Sequence, residues 1–148
     1  MAKVLIITGS KSDFQYAEKC REQLEVLGID SNIEVSSAHR HPKKTADLSA
    51  DAQRNGFEVI VAMAGLSAAL PGVVASHSNL PVIGVPLPAA LNGIDSLLSI
   101  VQMPPGIPVA GMTIGIPGAR NAAILAARIL ALKYPEVNRA LMEHRQAL

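Results

Sequence analysis

Short runs rich in Val and Ile alternate with longer segments rich in Ala, Leu, Glu and Lys along the chain. This alternation is typical of a parallel sheet covered by helices on both faces, because parallel strands are joined by crossovers that usually contain a helix. We predict strands near residues 3–8, 32–36, 57–63, 81–85 and 108–114. Helices are expected near residues 13–27, 42–54, 67–78, 93–102 and 119–133, with a last helix near 135–147 after a break at Pro135.

The order of these elements predicts an α/β fold, a three-layer αβα sandwich with a flavodoxin-like five-stranded parallel sheet and an extra C-terminal helix. The length of 148 residues fits a single domain, residues 1–148. Helix boundaries carry local signals as well. Ser12 or Asp13 can cap the first helix, Gly28 can end it, and Pro42 suits the first turn of the second.

Charge is scarce in the middle of the chain, where Asp95 is the only Lys, Arg, Asp or Glu between Val59 and Ala119. Charged residues make up 17% of the whole chain, against about a quarter in an ordinary globular domain. A monomer needs charge over most of its surface, so a stretch this neutral suggests burial against other subunits. We therefore expect a homo-oligomer, with the last helix a candidate for packing on a neighbouring subunit.

The apolar segment from Val59 to Ala75 approaches the length of a membrane-spanning helix. Gly and Pro residues break this region into pieces, none of which reaches the roughly 20 residues that a span requires. The N-terminal residues are interpreted as a first strand rather than an export signal. Cys20 is the only cysteine, so neither an intramolecular disulfide nor a cysteine-rich zinc site is expected. We expect no membrane association and a cytoplasmic location.

Nucleic-acid binding is not indicated either. The net charge is +1, and the chain has two Tyr, two Phe and no Trp. It therefore lacks both the basic surface and the aromatic stacking groups of a nucleic-acid binder. A small-molecule ligand is expected instead.

Ligands of open parallel sheets bind beyond the carboxyl ends of the strands, where loops and helix N-termini converge. Four loops qualify, at residues 9–13, 37–42, 64–72 and 84–87. In the first, Ser10, Ser12 and Asp13 offer groups that suit a phosphate or a ribose. The pattern is neither the nucleoside-triphosphate loop nor the dinucleotide fingerprint. The alternative is that Ser12 and Asp13 only cap a helix.

The second loop, Ser37-Ala38-His39-Arg40, places a proton-transfer group beside an anion anchor with bidentate geometry. A loop histidine or arginine is often merely solvated. The position after a strand and beside the first loop favours a functional interpretation. His39 and His41 together invite a metal, but zinc needs three or four ligands and no acidic or cysteine partner accompanies them. No metal is expected.

The third loop is almost entirely small or apolar, so it contributes no acid or base. Packing of helix on sheet explains most of its composition. A dry pocket lined by Gly65, Ala68 and Ala69 would also suit a small neutral species such as carbon dioxide.

The chain resembles the N5-carboxyaminoimidazole ribonucleotide mutases and the related aminoimidazole ribonucleotide carboxylases over essentially its whole length. The segments that carry the resemblance occur in the family's order and spacing. They are Gly9-Ser10-Lys11-Ser12-Asp13, Ser37-Ala38-His39-Arg40, Leu70-Pro71-Gly72, residues 81–86 (PVIGVP), residues 95–104 (DSLLSIVQMP) and Asn121-Ala122-Ala123.

The resemblance implies a mutase of purine biosynthesis that moves the carboxylate of an N5 carbamate to ring carbon C4. No ATP, metal or organic cofactor is implied, and the implied assembly is a homo-octamer with fourfold and twofold symmetry. Carried over by position, His39 would be the general acid and base. Ser10, Asp13 and Arg40 would contact the ribose and phosphate, and the remaining substrate-binding candidates are Ser12, Ser37, Gly65, Ala69 and Leu70.

The third loop departs from the pattern of bacterial mutases, which usually carry Ala-His-Leu-Pro-Gly where this chain has Ala68-Ala69-Leu70-Pro71-Gly72. Ala69 thus replaces a histidine. The carboxylases tend to have Ser-Asn-Ala-Leu there, which Ser67-Ala68-Ala69-Leu70 partly echoes. Two alternatives to a mutase therefore stay open. One is a carboxylase that takes free carbon dioxide, and the other is a catalytically silent nucleotide-binding module.

Overall fold

The computed structural model describes all 148 residues, which form six α-helices, one 3-10 turn and five strands. The strands are β1 (Lys3–Thr8), β2 (Asp30–Val35), β3 (Val59–Ala64), β4 (Val82–Pro86) and β5 (Ala110–Gly111). The 3-10 turn covers Lys11–Asp13. The helices are α1 (Phe14–Val26), α2 (Pro42–Asp51), α3 (Leu70–His77), α4 (Ile94–Val101), α5 (Ile116–Leu130) and α6 (Pro135–Gln146).

All five strands pair in parallel in one sheet, in the order β2-β1-β3-β4-β5. In the register at the centre of the sheet, Ile6 lies between Ile33 of β2 and Val61 of β3. This order is that of flavodoxin-like doubly wound sheets, and the predicted fold is confirmed. From β1 the chain passes to β2 on one side of β1, and then to β3 on its other side. The loops after β1 and β3 therefore diverge and open a crevice between them.

Both faces of the sheet are buried, which explains why the central strands are apolar throughout. On β1, Val4 and Ile6 face one core and Leu5 and Ile7 face the other, as the two-residue period of a strand requires. The first core lies beneath α1, α5 and α6, and the second lies beneath α2, α3 and α4. None of the helices combines the length and apolar character needed to cross a membrane.

Every predicted boundary lies within three residues of the observed one, and three of the differences have an identifiable cause. The last strand was expected over residues 108–114, but only Ala110 and Gly111 pair with β4. They form the sheet edge, where Pro108 has no N–H to contribute to a ladder. The third helix begins at Leu70 rather than residue 67, because the preceding residues form a turn. The fifth helix begins at Ile116 rather than residue 119, with Pro117 in its first turn, a position that suits proline.

Candidate active site

The loops that follow β1, β2 and β3 surround a cleft of about 600 Å³ at the reversal of the strand order. All nine of the residues predicted from the sequence line this one cleft, which brings together side chains from three separate loops. They are Ser10, Ser12, Asp13, Ser37, His39, Arg40, Gly65, Ala69 and Leu70. Their individual roles stay predictions.

The Ser10 hydroxyl of the first loop holds the carboxylate of Asp13. The Ser10 hydroxyl donates to Asp13 Oδ2 at 3.1 Å and lies 2.7 Å from the Ser12 hydroxyl. Asp13 occupies the N-cap position of α1 but makes no side-chain capping bond. The capping interpretation is therefore wrong for Asp13, whose carboxylate is left facing the cleft.

The surroundings of Asp13 raise the pKa of its carboxyl above the ordinary value. Partial burial raises the pKa of the carboxyl above 3.8, and the hydrogen bond from Ser10 opposes this rise only in part. The Asp13 side chain is half-buried where it lines the cleft.

The second loop is a tight turn built on Ser37. The Arg40 N–H donates to the Ser37 hydroxyl at 3.1 Å, and the His41 N–H donates to the Ser37 carbonyl at 2.8 Å. These two bonds fold the loop back on itself, so the side chains of His39 and Arg40 lie at its exposed tip on the wall of the cleft. The imidazole and the guanidinium are thus available to a ligand.

A second cavity of about 550 Å³ adjoins the cleft on the outer side of this turn. It shares Ser10, Ser37 and Arg40 with the cleft and adds Lys11 and Lys44. The Lys44 ammonium is fixed against the end of β2 by a 2.7 Å hydrogen bond to the Val35 carbonyl. No carboxylate lines this cavity. The resulting positive potential attracts anionic ligands toward the cleft.

The third loop forms a wall without titratable groups. The Ala68 N–H donates to the Gly65 carbonyl at 3.0 Å and closes a turn, in which Leu66 has a φ of 56°. Ala68 and Leu70 are buried and anchor the loop, while Ala69 is half-buried at the cleft. No three His, Cys, Asp or Glu side chains lie together in an arrangement that could hold a metal ion.

Sequence reasoning missed parts of the lining. The fourth loop was expected at residues 84–87, but β4 runs to Pro86 and Leu87 is buried. The Ser96 hydroxyl donates to the Leu87 carbonyl at 2.9 Å and secures this segment. The chain reaches the cleft only at Ala89. Leu66 and Ser67 lie within the third predicted loop and also line the cleft, but they were not among the nine candidate residues.

The chain matches the sequence model of a protein family described as AIR carboxylase over residues 3–148. It is 52% identical to an N5-carboxyaminoimidazole ribonucleotide mutase of Pyrococcus abyssi over 147 residues, which cover 99% of this chain and 83% of that protein. It is 48% identical to the protein of that name from Escherichia coli K12 over 147 residues, covering 99% of this chain and 87% of the relative.

Two solved protein structures have folds similar to that of this chain. Treponema denticola PurE superposes with a TM-score of 0.88 at 29% identity, covering 99% of this chain and 91% of the other. A 3-dehydroquinate dehydratase-like protein from Bifidobacterium longum gives a TM-score of 0.59 at 16% identity, covering 88% of this chain and 99% of the other. The second likeness concerns the fold alone.

Proposed function

The chain belongs to the AIR carboxylase family, and we propose that it isomerises N5-carboxyaminoimidazole ribonucleotide to 4-carboxy-5-aminoimidazole ribonucleotide in purine biosynthesis. This is the mutase activity for which its relatives, about half identical over nearly the whole chain, are named. The observation that carries the proposal is the convergence in one cleft of an imidazole, an anion anchor and a small apolar wall.

The nucleotide is bound through its ribose and phosphate by the first two loops. Ser10 and Ser12 offer hydroxyls, and the guanidinium of Arg40 offers a bidentate partner for phosphate oxygens. Asp13, held by Ser10, accepts from the ribose hydroxyls. The basic cavity beside Arg40 adds attraction for the anionic substrate. With the phosphate and ribose on these loops, we infer that the imidazole ring of the substrate lies toward the third loop.

His39 transfers one proton in each direction. As the bond between N5 and the carboxyl carbon breaks, protonated His39 donates to the nitrogen and carbon dioxide is released beside the ring. C4 then attacks the carbon dioxide through the electrons of the enamine-like ring, and neutral His39 removes the C4 proton. The proton donated in the first step is recovered in the second, so no external acid or base is consumed. A positioned group of this kind contributes about 10² to 10⁴ in rate.

The third loop retains the carbon dioxide between the two steps. Gly65, Ala68 and Ala69 present small apolar surface to the cleft. Holding the ring and the carbon dioxide together replaces a bimolecular recombination by an effectively unimolecular one. Excluding water favours capture by C4 over escape.

We also propose a homo-octamer located in the cytoplasm. Ile94, Leu98 and Val101 are about half-exposed and lie along one face of α4. An exposed apolar face is unfavourable in a monomer, and a second copy that covers α4 would remove this face from water.

The nearest alternative function is that of a carboxylase that takes free carbon dioxide. It remains an alternative because position 69 is alanine rather than histidine. The test supplies the purified protein with the N5 carbamate, or with aminoimidazole ribonucleotide plus bicarbonate at low concentration, and measures formation of the 4-carboxylate. Rapid turnover of the carbamate is expected. Rapid turnover of only the second mixture would assign the carboxylase activity instead.

A catalytically silent nucleotide-binding module is the alternative from another class. Its expected result is nucleotide binding without turnover of either mixture. The presence of His39 on the cleft wall, in the same cavity as the phosphate-binding groups, favours the enzyme.

A further inference from the structure

The turn that opens the third loop contains an unfavourable backbone conformation. Leu66 has a φ of 56° and is the first central residue of the turn closed by Gly65 and Ala68. Ser67, the second central residue, has no positive φ. Turns of this kind normally carry Gly at the first central position, and a bulky residue there is an outlier.

Packing in the core does not account for this conformation, because the Leu66 side chain is 55% exposed. Among the residues that line the cleft, only Leu66 and Leu70 are large and apolar, and Leu70 is buried. Leu66 is thus the one large apolar side chain that the cleft presents to solvent. Strained backbone of this type concentrates at functional sites.

We propose that Leu66 is an apolar wall of the cleft that keeps carbon dioxide in place between its release and its capture. The inference rests on the proposed mutase function. If carbon dioxide escapes, protonation of the nitrogen leaves free aminoimidazole ribonucleotide, and water converts the lost carbon dioxide to bicarbonate. A neutral, weakly hydrated molecule is confined by apolar surface that excludes water, and Leu66 supplies the largest exposed piece of it.

The experiment measures escape directly with an isotope. The 4-carboxy ribonucleotide carries ¹³C in its carboxylate and is equilibrated with the full-length enzyme in unlabelled bicarbonate. Carbon-13 NMR follows both the isomerisation and the loss of label to the solution. For Leu66→Gly we expect the ratio of label loss to isomerisation to rise by roughly tenfold, the lower range for deleting apolar contacts in a pocket. The melting temperature is not expected to fall, since glycine relieves the backbone strain.

Two further variants separate the side chain from the backbone. Leu66→Met keeps an apolar side chain of similar volume that is unbranched at Cβ, and it should give a ratio close to that of the wild type. Leu91 has a similar φ of 49°, is 73% exposed and does not line the cleft. Leu91→Gly therefore makes the same backbone change elsewhere and should leave the ratio unchanged.

The outcomes distinguish this inference from the proposed function. A wild-type protein that does not interconvert the two carboxylates would overturn both. A wild type that does so, with the same ratio in Leu66→Gly, would overturn only the role of Leu66. If Leu66→Gly changes the mass of the assembly but leaves the ratio unchanged, the side chain belongs to a subunit contact. This outcome would also overturn the role of Leu66.

Discussion

The side-chain hydroxyl oxygens of Ser36 and Thr45 lie 2.7 Å apart, and both residues are buried. Ser36 follows β2 and Thr45 lies in α2, so this bond spans the base of the loop that carries His39 and Arg40. Thr45 donates its own proton to the His41 carbonyl at 3.1 Å, which makes Ser36 the donor within the pair. The Ser36–Thr45 pair therefore anchors the loop that carries His39 and Arg40.

Thr45→Val should lower the free energy of unfolding by about 1–3 kcal/mol, because it leaves the buried Ser36 hydroxyl without a partner. The double variant Ser36→Ala/Thr45→Val removes both polar groups and should recover much of this loss. Urea unfolding of the three proteins checks the prediction. Equal losses in the single and the double variant would mean that the hydroxyl pair does not stabilise the loop.

The titration of Asp13 gives a second prediction. Its pKa should lie above 3.8 in the wild type and rise further in Ser10→Ala, because the Ser10 hydrogen bond is what lowers it. Carbon-13 NMR titration of the carboxyl measures both values. An unchanged pKa in Ser10→Ala would contradict the hydrogen-bond assignment.

The same shift has a consequence for stability. Native Asp13 holds its proton more tightly than the unfolded chain, so its contribution to stability is present below pH 3.8 and is lost as the pH rises through the raised pKa. Asp13→Asn removes this loss, so the free energy of unfolding of the variant should rise relative to that of the wild type as the pH increases above 3.8. A fall relative to the wild type over this range would mean that the pKa is lowered instead.

Much of the fold was predictable because the central strands are buried on both faces and so remain apolar without interruption. The shortness of β5 was not, because a two-residue edge pairing leaves no periodic pattern. The turn at Leu66 was also beyond prediction. Positive φ is predicted from sequence mainly at Gly and Asn. A leucine such as Leu66 gives no sequence signal for this conformation.

The nine candidate residues were found because parallel strands end at one edge of a sheet, which gathers their following loops. The contribution of Ala89 was missed, since its place depends on how far β4 and the buried Leu87 carry the chain. The hydrogen bond from Ser10 to Asp13 likewise depends on side-chain geometry, and residue types alone allowed a helix cap equally well.

Arg40→Ala should weaken nucleotide binding by about 1.5–3 kcal/mol, the range for a hydrogen bond to a charged group. Arg40→Lys retains the charge without the bidentate geometry. Its affinity for the nucleotide should lie between those of the wild type and Arg40→Ala. Lys43→Ala removes an equal charge from the neighbouring helix, outside the cleft, and serves as the matched control. Calorimetry of nucleotide binding measures all four proteins. Equal affinities of Arg40→Ala and Lys43→Ala would contradict the phosphate assignment.

Leu98→Glu should reduce the size of the assembly, because it places a charge in the middle of the exposed apolar face of α4. Leu132→Glu adds the same charge at a residue that is 90% exposed and follows α5, and should leave the assembly intact. Light scattering should give eight times the 15.5 kDa chain mass for the wild type and the control. A wild type of monomeric mass would contradict the proposed octamer.

The most direct test of the account compares the wild type with His39→Asn in buffer without ATP or added bicarbonate. Conversion of the N5 carbamate to the 4-carboxylate is measured beside the affinity for the nucleotide. We predict rapid conversion by the wild type, and for His39→Asn a rate that is about 10²- to 10⁴-fold lower with nearly unchanged affinity. Unchanged conversion by His39→Asn, or none by the wild type, would contradict it.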